Sequence, residues 1–395
     1  MDIVILADFC LDFDGTDNSR FIYIANMLKD KHDVEILTSD FNHGRKEYFS
    51  SVPDNYPYKI TMLHEGKYKR NVCLSRFVAH YQWSRNVKKY LAERKKPDIV
   101  YCAIPPLSAS LEIAKYCEKN KIRFIVDVQD LWPEAFQMVF NIPVISDVVF
   151  SPFKAIADGI YKRADAIVAV SETYKKRVLF KNKKCKDGTV VFLGTELDSF
   201  DKKSGGFEIL KGDNEFWITY VGTLGHSYNI EIVIDALELL PAELKEKITF
   251  KVLGDGPLLE KFKEYAKGSG VKVDFMGKRE YGEMVAYLKK SDIAVNPISK
   301  GAAQSIINKH GDYAMAGLPV VSTQESEEYR KLLTEYNCGI NCSVDSPEEV
   351  ADALKEFIEN EEKRVEMGKN SRRLGEEKFD RKQSYKEILK VIENI

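Results

Sequence analysis

The 395-residue sequence predicts an α/β protein of two domains, each a doubly wound parallel sheet, facing each other across a cleft. Three observations carry that expectation. Short apolar runs alternate with amphipathic helical stretches through both halves, the pattern of strands joined by helical crossovers. The length exceeds what a single hydrophobic core comfortably holds and suits two domains of nearly equal size. Near the middle, DKKSGG at 201–206 is a polar, glycine-containing break that punctuates rather than packs.

In order, the first half offers strands at 3–7, 34–38, 60–63, 99–102, 124–128, 166–170 and 189–192. A polar loop at 8–19 leads into a helix at 20–31 whose Phe21, Ile24, Ala25 and Leu28 fall on one face. The second half repeats the plan at 217–221, 249–253, 273–276, 293–295 and 320–322, and helices at 347–360 and 361–395 close the chain. The expected domains are 1–200 and 207–383, with the terminal helix at 384–395 returning to the first.

Composition restricts the class of function. Apolar content of 44% and charged content of 30% are those of a globular protein rather than a disordered one. The seven cysteines form no CxxC pair, and Cys338 and Cys342, four apart, lack the further ligands of a zinc site. Asp2 opens a buried-strand pattern where an export signal wants a basic residue, and no uncharged run is long enough to cross a bilayer. A reducing cytoplasm is the expected location. Residues 1–200 carry 30 Lys and Arg against 26 Asp and Glu, and 201–395 carry 29 against 35, so the first half better suits an anionic partner. No nucleic-acid motif is present, and nucleic acid is not an expected partner.

The densest chemical signal is SDIAVNPISKGAAQSIINKHGDYAMAGLPVVST, 291–323. It predicts strand, small-residue loop, helix at 307–316, a stop at Gly317-Leu318-Pro319 and a second strand. Such a unit sets the loop and helix N-terminus at the carboxyl edge of a parallel sheet, where backbone N–H groups favour an anion. Lys300 and Lys309 add positive charge, Gln304 and Asp312 can bind hydroxyls, and a phosphate-bearing sugar suits the set. Three more loops follow strands in the same half. These are VGTLGH, with Gly222, Thr223, Leu224 and Gly225; LGDGP, with Gly254; and FMGKR, with Lys278 and Arg279. The two glycines of VGTLGH let backbone N–H groups approach a diphosphate.

The run from Asn296 to Val321 resembles the nucleotide-sugar segment of family 4 glycosyltransferases, in the branch that builds bacterial capsule and O-antigen sugars. Relatives in that family usually place Glu at both ends of an E-x7-E spacing; here the positions are Gln304 and Asp312. Many also carry an Arg after the first loop glycine and a Lys about six residues on, where this chain has Thr223 and Asn229. The resemblance implies a GT-B fold and a retaining transfer from a nucleotide-diphosphate sugar, most simply a UDP-sugar, without a metal or other cofactor. It implies that Asp312 binds the ribose hydroxyls. Gln304 and the backbone of Gly301, Ala302, Ala303 and Ser305 would take the sugar or phosphate, and Lys309 the diphosphate. Lys300, Arg279 and Arg20 are the other candidate cations.

In the first half, Gly15 and Thr16 match the family's glycine loop facing the donor phosphates. Asp12 and Asp14 read as loop acids rather than as a metal motif. DLWPE at 130–134 matches a segment of the same branch. There Asp130 either orients or deprotonates the acceptor hydroxyl or simply caps a turn.

Residues 67–96 hold ten Lys and Arg, a single acid, Glu93, and interleaved aromatics, and 136–153 is a second apolar stretch. Both suit an anionic membrane face and a polyprenyl-diphosphate-linked saccharide acceptor, or else two helices packed on the sheet. Two other functions share this fold: a nucleotide-sugar epimerase, and a binding or scaffold protein without catalysis.

Overall fold

The computed structural model describes residues 1–395 apart from 11, 12, 14–18, 52, 53, 71, 72, 135–144 and 303–305, and the side chains of 145–148. The chain divides into two compact units, Met1–Phe192 with Tyr385–Ile395, and Leu193–Ser384.

The first unit is built on β1 (Asp2–Leu6), β2 (Asp33–Ser39), β3 (Phe41–Asn42), β4 (Glu47–Tyr48), β5 (Lys59–Leu63), β6 (Ile99–Ile104), β7 (Arg123–Val128), β8 (Ala166–Ala169) and β9 (Thr189–Val190). Its sheet has the order β5-β2-β1-β6-β7-β8-β9, with every pair parallel. β1 is buried along its whole length because helices cover both faces. Val4 and Leu6 face a core shared with the Leu74–Glu93 and Leu107–Asn120 helices. Ile3 and Ile5 face one shared with the Arg20–Leu28 helix. The short antiparallel pair β3–β4 was not anticipated, since two-residue strands carry no readable alternation.

The second unit contains β10 (Phe216–Val221), β11 (Ile248–Leu253), β12 (Val273–Gly277), β13 (Ile293–Asn296), β14 (Val320–Ser322) and β15 (Gly339–Asn341). Its order is β12-β11-β10-β13-β14-β15, again all parallel. β15 was missed because GIN is short and opens with glycine. In each sheet the order reverses beside one central strand, β1 in the first and β10 in the second. Carboxyl ends at such a reversal are where open α/β sheets form ligand crevices.

Residues 193–200, expected in the first domain, pack in the second unit, and so does most of the expected linker. Phe200 is fully buried and meets Tyr281 edge-on, and Asp201 accepts two hydrogen bonds from Arg372. At the other end Tyr385, Ile388 and Ile392, spaced along one helical face, are fully buried in the first unit's core. All seven cysteines are free. No helix among the described residues is long and apolar enough to cross a membrane.

Candidate functional site

In the second unit the site begins at the end of β10. Val221 passes into Gly222, whose N–H donates to Leu253 O, while the Leu224 N–H donates to Asp255 O and the Gly254 N–H to Gly277 O. These three N–H groups are spent joining the loops to one another, including those of Gly222 and Leu224 in the loop expected to reach a diphosphate. The glycines are required by that contact: a Cβ on Gly254 would lie 1.8 Å from Gly222 O. Gly222 has its own reason to be glycine, a φ of 142° that side chains rarely adopt, and Lys309 Nζ would lie 2.8 Å from a Cβ there. Tyr220 Oη donates to Thr223 O, so that loop is also held from below.

Lys309 lies in the first turn of the Asn308–Met315 helix, one residue past its start, and is 7% exposed. Its Nζ has no hydrogen-bond acceptor among the described residues. It sits 4.0 Å from the centroid of the Tyr220 ring and 3.8 Å from that of Tyr228. The rings attract a cation without neutralising it. Burial drives the Lys309 pKa well below the ordinary lysine value. A buried lysine amine at a helix N-terminus, on the reversal edge of a parallel sheet, stands where an approaching anion would favour its charged form.

Asp312, one turn further on, accepts a hydrogen bond from Tyr281 Oη at 2.8 Å through Oδ1. Burial raises its pKa to about 6, partly offset by that bond and by Arg381. Tyr281, Tyr220 and Tyr228 had no sequence signal, since isolated tyrosines in apolar runs read as core.

The other expected donor residues described in the second unit lie on its surface or near it. Lys300 is exposed and paired with Asp345, and the Gly301 N–H donates to Glu325 at 2.8 Å. Arg279 is exposed and pairs with Glu283 one turn on, and Lys278 is exposed as well. Thr223 is exposed, Gly225 half-buried, and Ala302 half-buried at the edge of the described loop. Gln304, Ala303 and Ser305 lie outside the described residues, as do Gly15 and Thr16.

Arg20 is the clearest correction. It is 4% exposed and donates to both Asp127 oxygens, to the carbonyls of Val191 and Phe192, and to Tyr385 Oη. Its guanidinium is consumed by the core of the first unit and is not available to a phosphate. Asp130 accepts from the Leu131 N–H at 2.9 Å and from Trp132 Nε1 at 3.0 Å, the local cap geometry. Burial raises its pKa.

Comparison with known proteins places these units. The fold is that of GT-B glycosyltransferases. Anabaena Alr3699/HepE, solved in complex with UDP and in another structure with UDP-glucose, superposes on the UDP form with a TM-score of 0.74 over 100% of both chains at 15% identity. Residues 19–197 match Glycosyltransferase Family 4, and residues 202–374 match Glycosyl transferases group 1, so the two halves carry one domain of each kind. Two uncharacterized glycosyltransferases of Methanocaldococcus jannaschii are related in sequence. MJ1069 is 30% identical over 245 residues, 61% of this chain and 62% of its own length. MJ1178 is 25% identical over 235 residues, 59% and 60% respectively. The chain thus spans about three fifths of those relatives.

Proposed function

We propose that this chain is a glycosyltransferase that transfers a sugar from a UDP-sugar to a saccharide acceptor, with retention at the anomeric carbon and without a metal ion at the diphosphate. The observation that carries the reading is Lys309, a buried lysine with no acceptor, framed by two tyrosine rings beside Gly222. A departing diphosphate gains negative charge in the transition state, and a preorganised cation in a dry site stabilises that charge most effectively. The two glycosyltransferase domains and the UDP complexes of a protein with this fold support the same choice.

Asp312 takes the ribose hydroxyls in this reading, with Oδ1 held by Tyr281. Asp130 keeps unused lone pairs beside its two local donors and positions the acceptor. A lipid-linked acceptor of the surface-polysaccharide type is supported by the first unit's surface. Leu74, Val78 and Tyr81 on the Leu74–Glu93 helix are 85%, 66% and 58% exposed, within the basic segment, and Val149 is 56% exposed on a neighbouring helix.

Thermal unfolding with UDP, GDP, CDP and ADP, without and then with magnesium, tests the proposal. A nucleotide at a hundred times its dissociation constant adds about 2.7 kcal/mol. Stabilisation by UDP alone, independent of magnesium, is the expected result. The absence of any nucleotide effect would leave a scaffold protein of the same fold.

A further inference from the structure

The described residues around Lys309 give its amine nothing that would hold a proton on it. Nζ has no hydrogen-bond acceptor among them. Tyr220, on β10, and Tyr228, in the loop beyond its end, present only ring faces, at 4.0 and 3.8 Å, and the Gly222 backbone closes another side. Burial raises the pKa of Tyr220 and of Tyr313, so neither becomes an anion beside the amine. On the same helix His310 is buried and stacked on Tyr329, and burial, then Lys309, drives its imidazole well below the ordinary histidine range, so it is uncharged. The carboxyl of Asp312 is engaged by Tyr281 Oη and faces Arg381.

An ammonium buried without an acceptor is costly, and a lysine so placed loses its proton instead. The two rings attract a cation but accept no hydrogen bond from it in the ordinary sense, so they offset only part of that cost. An arriving diphosphate changes the balance. It brings negative charge and acceptor oxygens to the amine at a helix N-terminus, where anions are favoured, and an opposite charge at contact distance favours the protonated form.

We propose that Lys309 is uncharged in the empty donor site and takes up one proton from solvent as the donor's diphosphate arrives. This rests on the donor site proposed above and adds to it a proton linkage. The proton joins Nζ, and no other bond is made or broken in the binding step. The ammonium that stabilises the departing diphosphate is then formed by the substrate itself, and the empty site carries no stranded charge. Release of UDP returns the proton. Asp312 titrates lower, near pH 6, so the two linkages separate on the pH scale.

Calorimetric titration of the full chain with UDP at about pH 8, in buffers of different ionisation enthalpy, reads the uptake directly. Asp312 and the terminal phosphate of UDP, whose second pKa is about 6, are both ionised there. The expected result is uptake of about one proton per UDP bound and an affinity that falls about tenfold from pH 7.5 to 8.5. Asp312→Asn keeps the uptake, and Lys309→Met loses it. A second readout needs no ligand. With the amine neutral when folded and charged when unfolded, the unfolded chain binds the extra proton, so stability rises with pH. In denaturant unfolding the wild type is expected to gain about tenfold in its folding equilibrium per pH unit relative to Lys309→Met over the same interval. UDP binding by the wild type without proton uptake, or with the same uptake in Lys309→Met, overturns the linkage and leaves the donor site standing. If Lys309→Met no longer binds UDP, the stability slopes decide, and equal slopes overturn it. No UDP binding by the wild type removes the donor site and the linkage together.

Discussion

Arg20 and Asp127, separated by 107 residues, meet in the core of the first unit through two hydrogen bonds, Nε to Oδ2 at 2.7 Å and a terminal nitrogen to Oδ1 at 3.1 Å. The pair joins the first helix to β7. Through Tyr385 Oη and the carbonyls of Val191 and Phe192, Arg20 also fixes the segment where the chain leaves the unit and the one where it returns.

Arg20→Ala leaves Asp127 buried with, among the described residues, Tyr101 Oη and Gln129 Nε2 as its side-chain donors. A loss of about 3–5 kcal/mol in stability is expected, because removing one partner of a buried pair strands the other charge. Denaturant unfolding of the first unit, followed through Trp83 and Trp132, measures it. Unchanged stability with a large loss of UDP affinity would restore Arg20 to phosphate binding.

Lys309→Met separates function from packing. The methionine fills the space between Tyr220 and Tyr228, and a buried amine without an acceptor is removed, so stability is expected to hold or rise. Turnover is expected to fall by about one to three orders of magnitude. A wild-type rate in a steady-state transfer assay would remove Lys309 from catalysis.

Asp312 gives a pH dependence with a definite sign. Burial raises its folded-state pKa to about 6, so the folded protein holds this proton more tightly than the unfolded chain. The group's contribution to stability is therefore greatest when it is protonated and declines as pH rises from the ordinary carboxylate value through about 6. In the proposed donor site ribose hydroxyls would donate to the ionised carboxylate, so UDP affinity is expected to increase as Asp312 ionises around pH 6. Asp312→Asn should flatten both profiles, as calorimetric titrations from about pH 4 to 7 would show; a parallel slope in the variant assigns the titration to another group.

Reversing the exposed face of the Leu74–Glu93 helix tests membrane contact. Leu74→Asp with Val78→Asp should abolish sedimentation with anionic vesicles. Neutralising Lys88, Lys89, Lys95 and Lys96 should weaken it by about 1 kcal/mol per residue near the surface. Lys88 already pairs with Glu112, so its share is expected to be the smallest of the four. Equal binding of all variants leaves this face merely solvated.

The sequence by itself determined the two parallel α/β units, because strands covered by helices on both sides must be continuously apolar and their runs stand out. It also determined the strand-loop-helix unit around Lys309, since small residues, a helix and a stop follow one another locally. Only the tertiary structure decided which charged groups are free to act. Arg20 and Lys309 look alike as letters, yet one meets Asp127 and the other meets two aromatic rings. Periodicity encodes burial along one element, whereas the partner of a buried charge is chosen by contacts between elements, which no local pattern records.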